Sequence, residues 1–175
     1  MIGIRAEGQI FDRDLAEAEV TNTITETTVY SVSVPGGTLG IDRMLRVSLI
    51  GLYSNNDGAA RDVTIKAKYG GTTIFDSGLV NLANNVDNRA VSFELKLSAG
   101  GATNNQDTFG ELLIGLAAGT TGFSSTGDPA AHRVATYSDL AINSSVAQTL
   151  AITVQHGTAS LNITLRVEAV QTELI

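Results

Sequence analysis

Only two side chains in this sequence are natural proton-transfer bases at neutral pH, His132 and His156. Nucleophilic catalysis needs a serine or cysteine beside such a base. There is no cysteine, and no G-x-S-x-G elbow is present. His156 stays in phase with Leu150, Ile152 and Val154 at a strand end, the place of a packed histidine. His132 stands next to Arg133 in a long loop, the place of a solvated one. Two distant histidines without thiolates cannot supply the three or four ligands of a zinc site. Asn55, Asn56, Asp57 and Asp62 cluster oxygens, but without the spacing of a calcium loop, and Asn-Asp-Gly is ordinary turn chemistry. Glu94 and Glu111 are the candidate carboxylate pair for glycoside hydrolysis. Glu94 falls on the polar phase of its strand, as a solvated sheet-face residue does. The glycine-rich stretch 119–127 lacks the lysine of a phosphate loop. These residues point to no catalytic site, no metal and no cofactor.

The elements that would position any site are strands. Val91-Ser92-Phe93-Glu94-Leu95-Lys96-Leu97 alternates apolar and polar residues with a period of two, and Leu161-Asn162-Ile163-Thr164-Leu165-Arg166-Val167 repeats the pattern. Successive strand side chains point to opposite faces, so each segment buries one face and wets the other. The same alternation recurs at Tyr30–Val34, Leu45–Leu49, Val63–Tyr69, Thr72–Leu82, Leu112–Leu116, Val134–Ile142 and Leu150–Val154. Eight or nine strands separated by Gly/Asn/Asp clusters predict an all-β fold: an antiparallel two-sheet sandwich, jelly-roll-like. Gly70-Gly71 is expected to close a tight hairpin. Residues 100–107 read as a loop, and Ala117 to Arg133 as a longer one.

Residues 1–22 differ. They carry charge without β alternation and read as an N-terminal arm, with one helical turn, ahead of a single β-sandwich domain over 23–175. Ile10, Phe11 and Leu15 in the arm, and Phe123 and Pro129 in the long loop, are the candidate interface residues.

Composition narrows the partners. The formal net charge is −7, and the eleven basic residues are scattered. Nucleic-acid binding needs clustered Lys and Arg to displace counterions, so none is expected. No window approaches the roughly 20 apolar residues of a membrane span, and no leader segment is expected. Charged residues make up only 17%, so the surface is built largely from Ser, Thr, Asn and Gly. Such a surface suits a protein that lives in an assembly.

Three blocks carry a resemblance. Thr27-Thr28-Val29-Tyr30-Ser31-Val32-Ser33-Val34-Pro35-Gly36-Gly37-Thr38-Leu39-Gly40 is the first. Lys68-Tyr69-Gly70-Gly71-Thr72-Thr73-Ile74-Phe75-Asp76 and Thr149-Leu150-Ala151-Ile152-Thr153-Val154-Gln155-His156 are the others. Together they resemble small jelly-roll virion structural proteins of tailed bacteriophages, over roughly residues 22–172. The shared features are structural corners, so no catalytic residue is carried over. The resemblance implies a non-enzymatic virion protein on the phage particle surface, made in the host cytoplasm. Within that group a capsid decoration (cement) protein is expected, with the major capsid protein or other virion proteins as partners. A homo-oligomer is expected, and a trimer suits a three-fold capsid position. The alternative is a head- or tail-fibre module, or a carbohydrate-binding jelly roll used in host attachment. For that reading Tyr53, Asn55 and Asp57 are the local candidates.

Overall fold

A computed structural model describes residues 8–117 and 132–175. The strands are β1 (Gln9–Asp14), β2 (Ala18–Thr21), β3 (Thr27–Val34), β4 (Met44–Asn55), β5 (Arg61–Tyr69) and β6 (Thr72–Asp76). They continue as β7 (Val80–Leu82), β8 (Asn85–Ala102), β9 (Asn105–Ala117), β10 (His132–Leu140), β11 (Gln148–His156) and β12 (Ile163–Leu174). All pairings are antiparallel. One sheet runs β1-β12-β4-β8-β9-β10, with β2 beside β1 on the same edge of β12. The other runs β3-β11-β5-β6, with β7 also on β5.

The chain alternates between these sheets, so that β3, β5 and β11 face β2, β4, β8 and β12 across the core. Four strands of one sheet, β1/β2-β12-β4-β8, face four of the other, β3-β11-β5-β6/β7. That order is the double Greek key of a jelly roll. The hairpin β9–β10 lies outside the frame and extends the larger sheet past β8.

Alternation places the core as the sequence predicts. Leu45, Val47, Leu49 and Tyr53 of β4 and Val91, Phe93, Leu95 and Leu97 of β8 are buried. They meet Val63, Ile65, Ala67 and Tyr69 of β5 and Leu150, Ile152 and Val154 of β11. Each buried Val, Leu, Ile or Phe of this set contributes about 1.5–3 kcal/mol. Gly70 and Gly71 form the expected hairpin: Tyr69 pairs with Thr72, and both glycines have positive φ, 57° and 81°.

Three expectations need correction. Twelve strands are described rather than eight or nine. Part of the excess arises because the fourth predicted strand breaks at Ser77, whose hydroxyl accepts the Ile65 amide and so ends β6. The helical turn expected in residues 11–20 is absent. Residues 9–14 and 18–21 are instead strands on β12. A register shift between Ile10 and Asp12 changes the side-chain phase there, so no alternation is visible in the sequence. Residues 100–107 are not an open loop. β8 and β9 run to a tight turn, with Ala102 opposite Asn105. Polar residues hold the inward positions there. Gln106 donates to the Thr103 carbonyl (2.9 Å) and accepts from the Ile142 amide (3.1 Å), and Thr108 donates to the Ile74 carbonyl (3.2 Å).

Candidate interaction surface

The outer face of the larger sheet is built by strand phase. With Leu112 and Ile114 buried, Phe109, Glu111 and Leu113 of β9 must point out. On β10 the outward set is Arg133, Ala135, Tyr137 and Asp139. Register then fixes neighbours: Tyr137 opposite Phe109, Ala135 opposite Glu111, Arg133 opposite Leu113, Asp139 opposite Asp107. Across β8, Lys96 lies opposite Phe109 and Glu94 opposite Glu111.

Phe109 and Tyr137 form a cross-strand aromatic pair, with centroids 4.9 Å apart and planes at 49°. Both stay about half exposed, 53% and 54%. Beside them is an open depression of about 370 Å³, lined by Ser92, Glu94, Lys96, Glu111, Leu113 and Ala135 among others. A second hollow of about 290 Å³ on the same face lies between Leu15, Ile50, Ala169 and the stem of Arg13. Ile50 and Leu15 are exposed. This face therefore presents large apolar side chains between charges.

The charges are compensated in pairs. Lys96 lies 2.9 Å from Glu94. Arg133 donates twice to Glu111, at 2.8 and 3.1 Å, which holds the Glu111 carboxyl below the usual range. A glycosidase acid needs the reverse, a carboxyl kept protonated near neutrality. Glu94 and Glu111 thus stand opposite each other on the solvated face, and Glu111 is tuned away from proton donation. Arg46 bridges to Glu173 in the same way and lowers its carboxyl. Among the described residues, neither Asp107 nor Asp139 has a cationic partner. The Tyr137 hydroxyl donates to both, at 3.0 Å for Asp107, and their carboxylates push its ionisation upward.

Of the predicted interface residues, Ile10 is exposed on β1. Phe11 packs partly against the core. Leu15, between β1 and β2, rims the second hollow. Phe123 and Pro129 lie outside the described residues. His156 is buried as read. Its Nε2 lies 2.9 Å from the Val20 carbonyl, an acceptor, so Nε2 carries the proton and Nδ1 is bare and without a partner. Burial pushes its imidazole below the ordinary value, against a smaller upward push from that hydrogen bond. His132 begins β10 instead of sitting in a loop, and its Nε2 has no partner.

Tyr53, Asn55 and Asp57 do not form an exposed binding cluster. Tyr53 is fully buried. Asn55 spends its amide on the Ala59 and Leu82 carbonyls, at 2.9 and 3.0 Å. Asp57 is engaged by Arg61 and Ser160. The Asn55–Asp62 oxygens brace a corner, and no metal-ligating group of three His, Cys, Asp or Glu occurs among the described residues. No described helix is long and apolar enough to cross a membrane.

Phe109, Leu113 and Tyr137 were legible but not singled out. Counting back by twos from Ile114 through Leu112, Gly110 and Thr108 sets Phe109 outward.

No family model matches this chain, and no curated protein matches it. Distant similarities to solved structures exist. The CBM2 module of the evolved Dit of Lactobacillus casei BL23 phage J-1 is 9% identical at a TM-score of 0.36, over 82% of this chain and 67% of that one. A chain of infectious bursal disease virus, Gx strain, is 9% identical at 0.34, over 100% of this chain and 46% of that one. The VP2 subviral particle of infectious bursal disease virus is 15% identical at 0.32, over 100% and 45%. The present chain thus spans under half of either virus chain.

Proposed function

We propose that this chain is a non-enzymatic structural protein of a bacteriophage particle. It is a capsid decoration (cement) protein that stabilises the head shell by burying surface against the major capsid protein or other virion proteins. It acts on the particle surface as a homo-oligomer, with a trimer suiting a three-fold position. The observation that carries this reading is the outer face of the larger sheet, where Phe109, Leu113, Tyr137, Ile50 and Leu15 are exposed on a rigid jelly roll. Exposed apolar side chains grouped on one face and rimmed by charges mark interaction surfaces. The resemblance of the Thr27–Gly40, Lys68–Asp76 and Thr149–His156 blocks to phage virion proteins supplies the kind of partner. The interface candidates Ile10, Phe11, Leu15, Phe123 and Pro129 would add to the contact.

The test is immunogold labelling of purified phage particles with antibody against this chain. Gold on the heads supports decoration, and gold on the tail moves the protein to a fibre. Particles without the chain sink the reading.

A second reading rests on the Phe109–Tyr137 pair. Half-exposed aromatics beside Glu94, Lys96 and Glu111 offer a stacking platform with hydrogen-bonding groups, as a carbohydrate-binding module needs. A glycan array separates the two: hits abolished by Tyr137→Ala favour sugar binding, and an empty array favours the shell.

A further inference from the structure

β10 ends the larger sheet. Its nine residues pair with β9 from His132 to Leu140 without a register shift, and among the described residues nothing pairs with its other edge. Edge strands usually carry a bulge, a proline or a lysine that discourages further pairing. β10, His-Arg-Val-Ala-Thr-Tyr-Ser-Asp-Leu, has none of these.

Its charges are placed symmetrically about Thr136. Arg133 lies three residues before it and Asp139 three residues after. An antiparallel pairing of two β10 strands centred on Thr136 sets Arg133 opposite the second copy's Asp139, and does so twice. Val134 meets Ser138 and Ala135 meets Tyr137. Opposite charges set directly across a strand pair stabilise it, and like charges there oppose it.

Two features of the single chain match this pairing. Asp139 stands directly opposite Asp107, a like-charged cross-strand pair with no described cation to offset it. The incoming Arg133 would supply that cation while keeping Glu111 within reach. Thr136 Oγ1 is buried and has no hydrogen-bond partner. At the two-fold point Thr136 lies opposite its own copy, and a turn about χ1 would bring one hydroxyl within reach of the other. Buried polar atoms are nearly always paired, so an orphan at the symmetry point calls for a partner.

We infer that two copies of this chain associate through β10, antiparallel about Thr136, joining their larger sheets into one continuous sheet. This is an isologous contact of the kind that closes a dimer. It goes beyond the proposed function, since it requires no shell, and any three-fold contact would have to use a different surface.

The chain has no cysteine, so a single introduced thiol reports cleanly. Thr136→Cys in the full chain, mildly oxidised, should give a covalent dimer of twice the 18.2 kDa chain mass. Ser138→Cys alone should not cross-link, whereas Ser138→Cys mixed with Val134→Cys should. Independently, Asp139→Arg at the exposed strand end should weaken the dimer in light scattering at least tenfold in Kd. The swap Arg133→Asp with Asp139→Arg should restore it. A protein that is monomeric at every concentration overturns the inference. So does an oligomer whose mass Asp139→Arg leaves unchanged and in which Thr136→Cys forms no cross-link.

Discussion

The ring of Phe75 occupies the space that a side chain at Gly110 would need. A Cβ built on Gly110 falls 3.0 Å from Cγ and Cε2 of Phe75, with Cδ2 nearer still. Gly110 lies on the inward phase of β9, and Phe75 is on β6 of the facing sheet. Phe75 also packs on Phe93 of β8, with centroids 4.8 Å apart. The missing Cβ therefore lets β6 reach under the added hairpin and seat β9–β10 on the jelly-roll frame.

Gly110→Ala should accordingly destabilise the fold by about 1–3 kcal/mol, the usual cost of overpacking a filled core. Denaturant unfolding measures it. Adding Phe75→Leu should recover part of the loss, because the smaller side chain vacates the clash. Full additivity of the two losses would show that the sites do not touch.

Tyr30 ties the N-terminal strands to the sandwich. Its hydroxyl lies 2.7 Å from Asp12 on β1 and 2.8 Å from Thr172 on β12. Thr172 is fully buried, so Tyr30→Phe leaves its hydroxyl short of a partner. A cost of about 1–3 kcal/mol follows. Adding Thr172→Val to Tyr30→Phe should then recover the part of the loss that comes from the orphaned Thr172 hydroxyl, leaving the part that comes from Asp12 losing its donor. Chemical unfolding of the four proteins of this cycle gives the answer.

His156 makes stability depend on pH in a window separate from the carboxylates. Its folded pKa lies below the ordinary value near 6.5, because burial disfavours the imidazolium. The unfolded chain thus binds the proton more readily, and stability rises with pH. The contribution is complete above about 6.5 and is lost as pH falls from there through the folded value. Protonation would put a hydrogen on Nδ1, which has no acceptor. Glu26, Asp57, Glu111 and Glu173 are also lowered, by Lys68, Ser160, Arg133 and Arg46 respectively, so their losses begin as pH falls into the ordinary carboxylate range, below the window of His156. His156→Gln keeps a donor for Val20 and should flatten the slope that sets in as pH falls below about 6.5. An unchanged slope would place that titration elsewhere.

The jelly roll was legible where alternation is unbroken. Val91–Leu97 and Leu150–Val154 each announce their buried face, and Gly70-Gly71 announces its turn. Legibility failed where polar atoms do the work of apolar ones. Gln106 and Thr108 face the core with their hydrogen bonds satisfied, and so read as loop. Asp12 follows a register shift and accepts from Tyr30, and so reads as arm. Tyr53 illustrates the opposite error: next to an Asn/Asp turn it reads as a binding residue, yet its strand phase buries it. The outer-face residues were readable by phase alone. Their role was not, because exposure of Phe109 beside Tyr137 depends on the β9–β10 register, which no local pattern encodes.

That exposed face yields a prediction with different outcomes for stability and binding. Phe109 and Leu113 are 53% and 40% exposed, so replacing both with Ser leaves the buried core untouched and removes only contacts on the outer face. The double variant should lose about 0.5–1.5 kcal/mol with the Phe109–Tyr137 pair and within about 0.5 kcal/mol at Leu113, and should remain folded. Aromatic anchors at the centre of an interface cost about 2 kcal/mol or more when truncated. Affinity for phage heads should therefore drop more than tenfold in a co-sedimentation assay, each factor of ten being about 1.4 kcal/mol. Arg61→Ala, on β5 of the other sheet, serves as the matched control. If both variants bind heads as the parent does, the Phe109–Leu113 end of the outer sheet is not the docking surface, and the proposal falls back on the Ile10, Phe11 and Leu15 end.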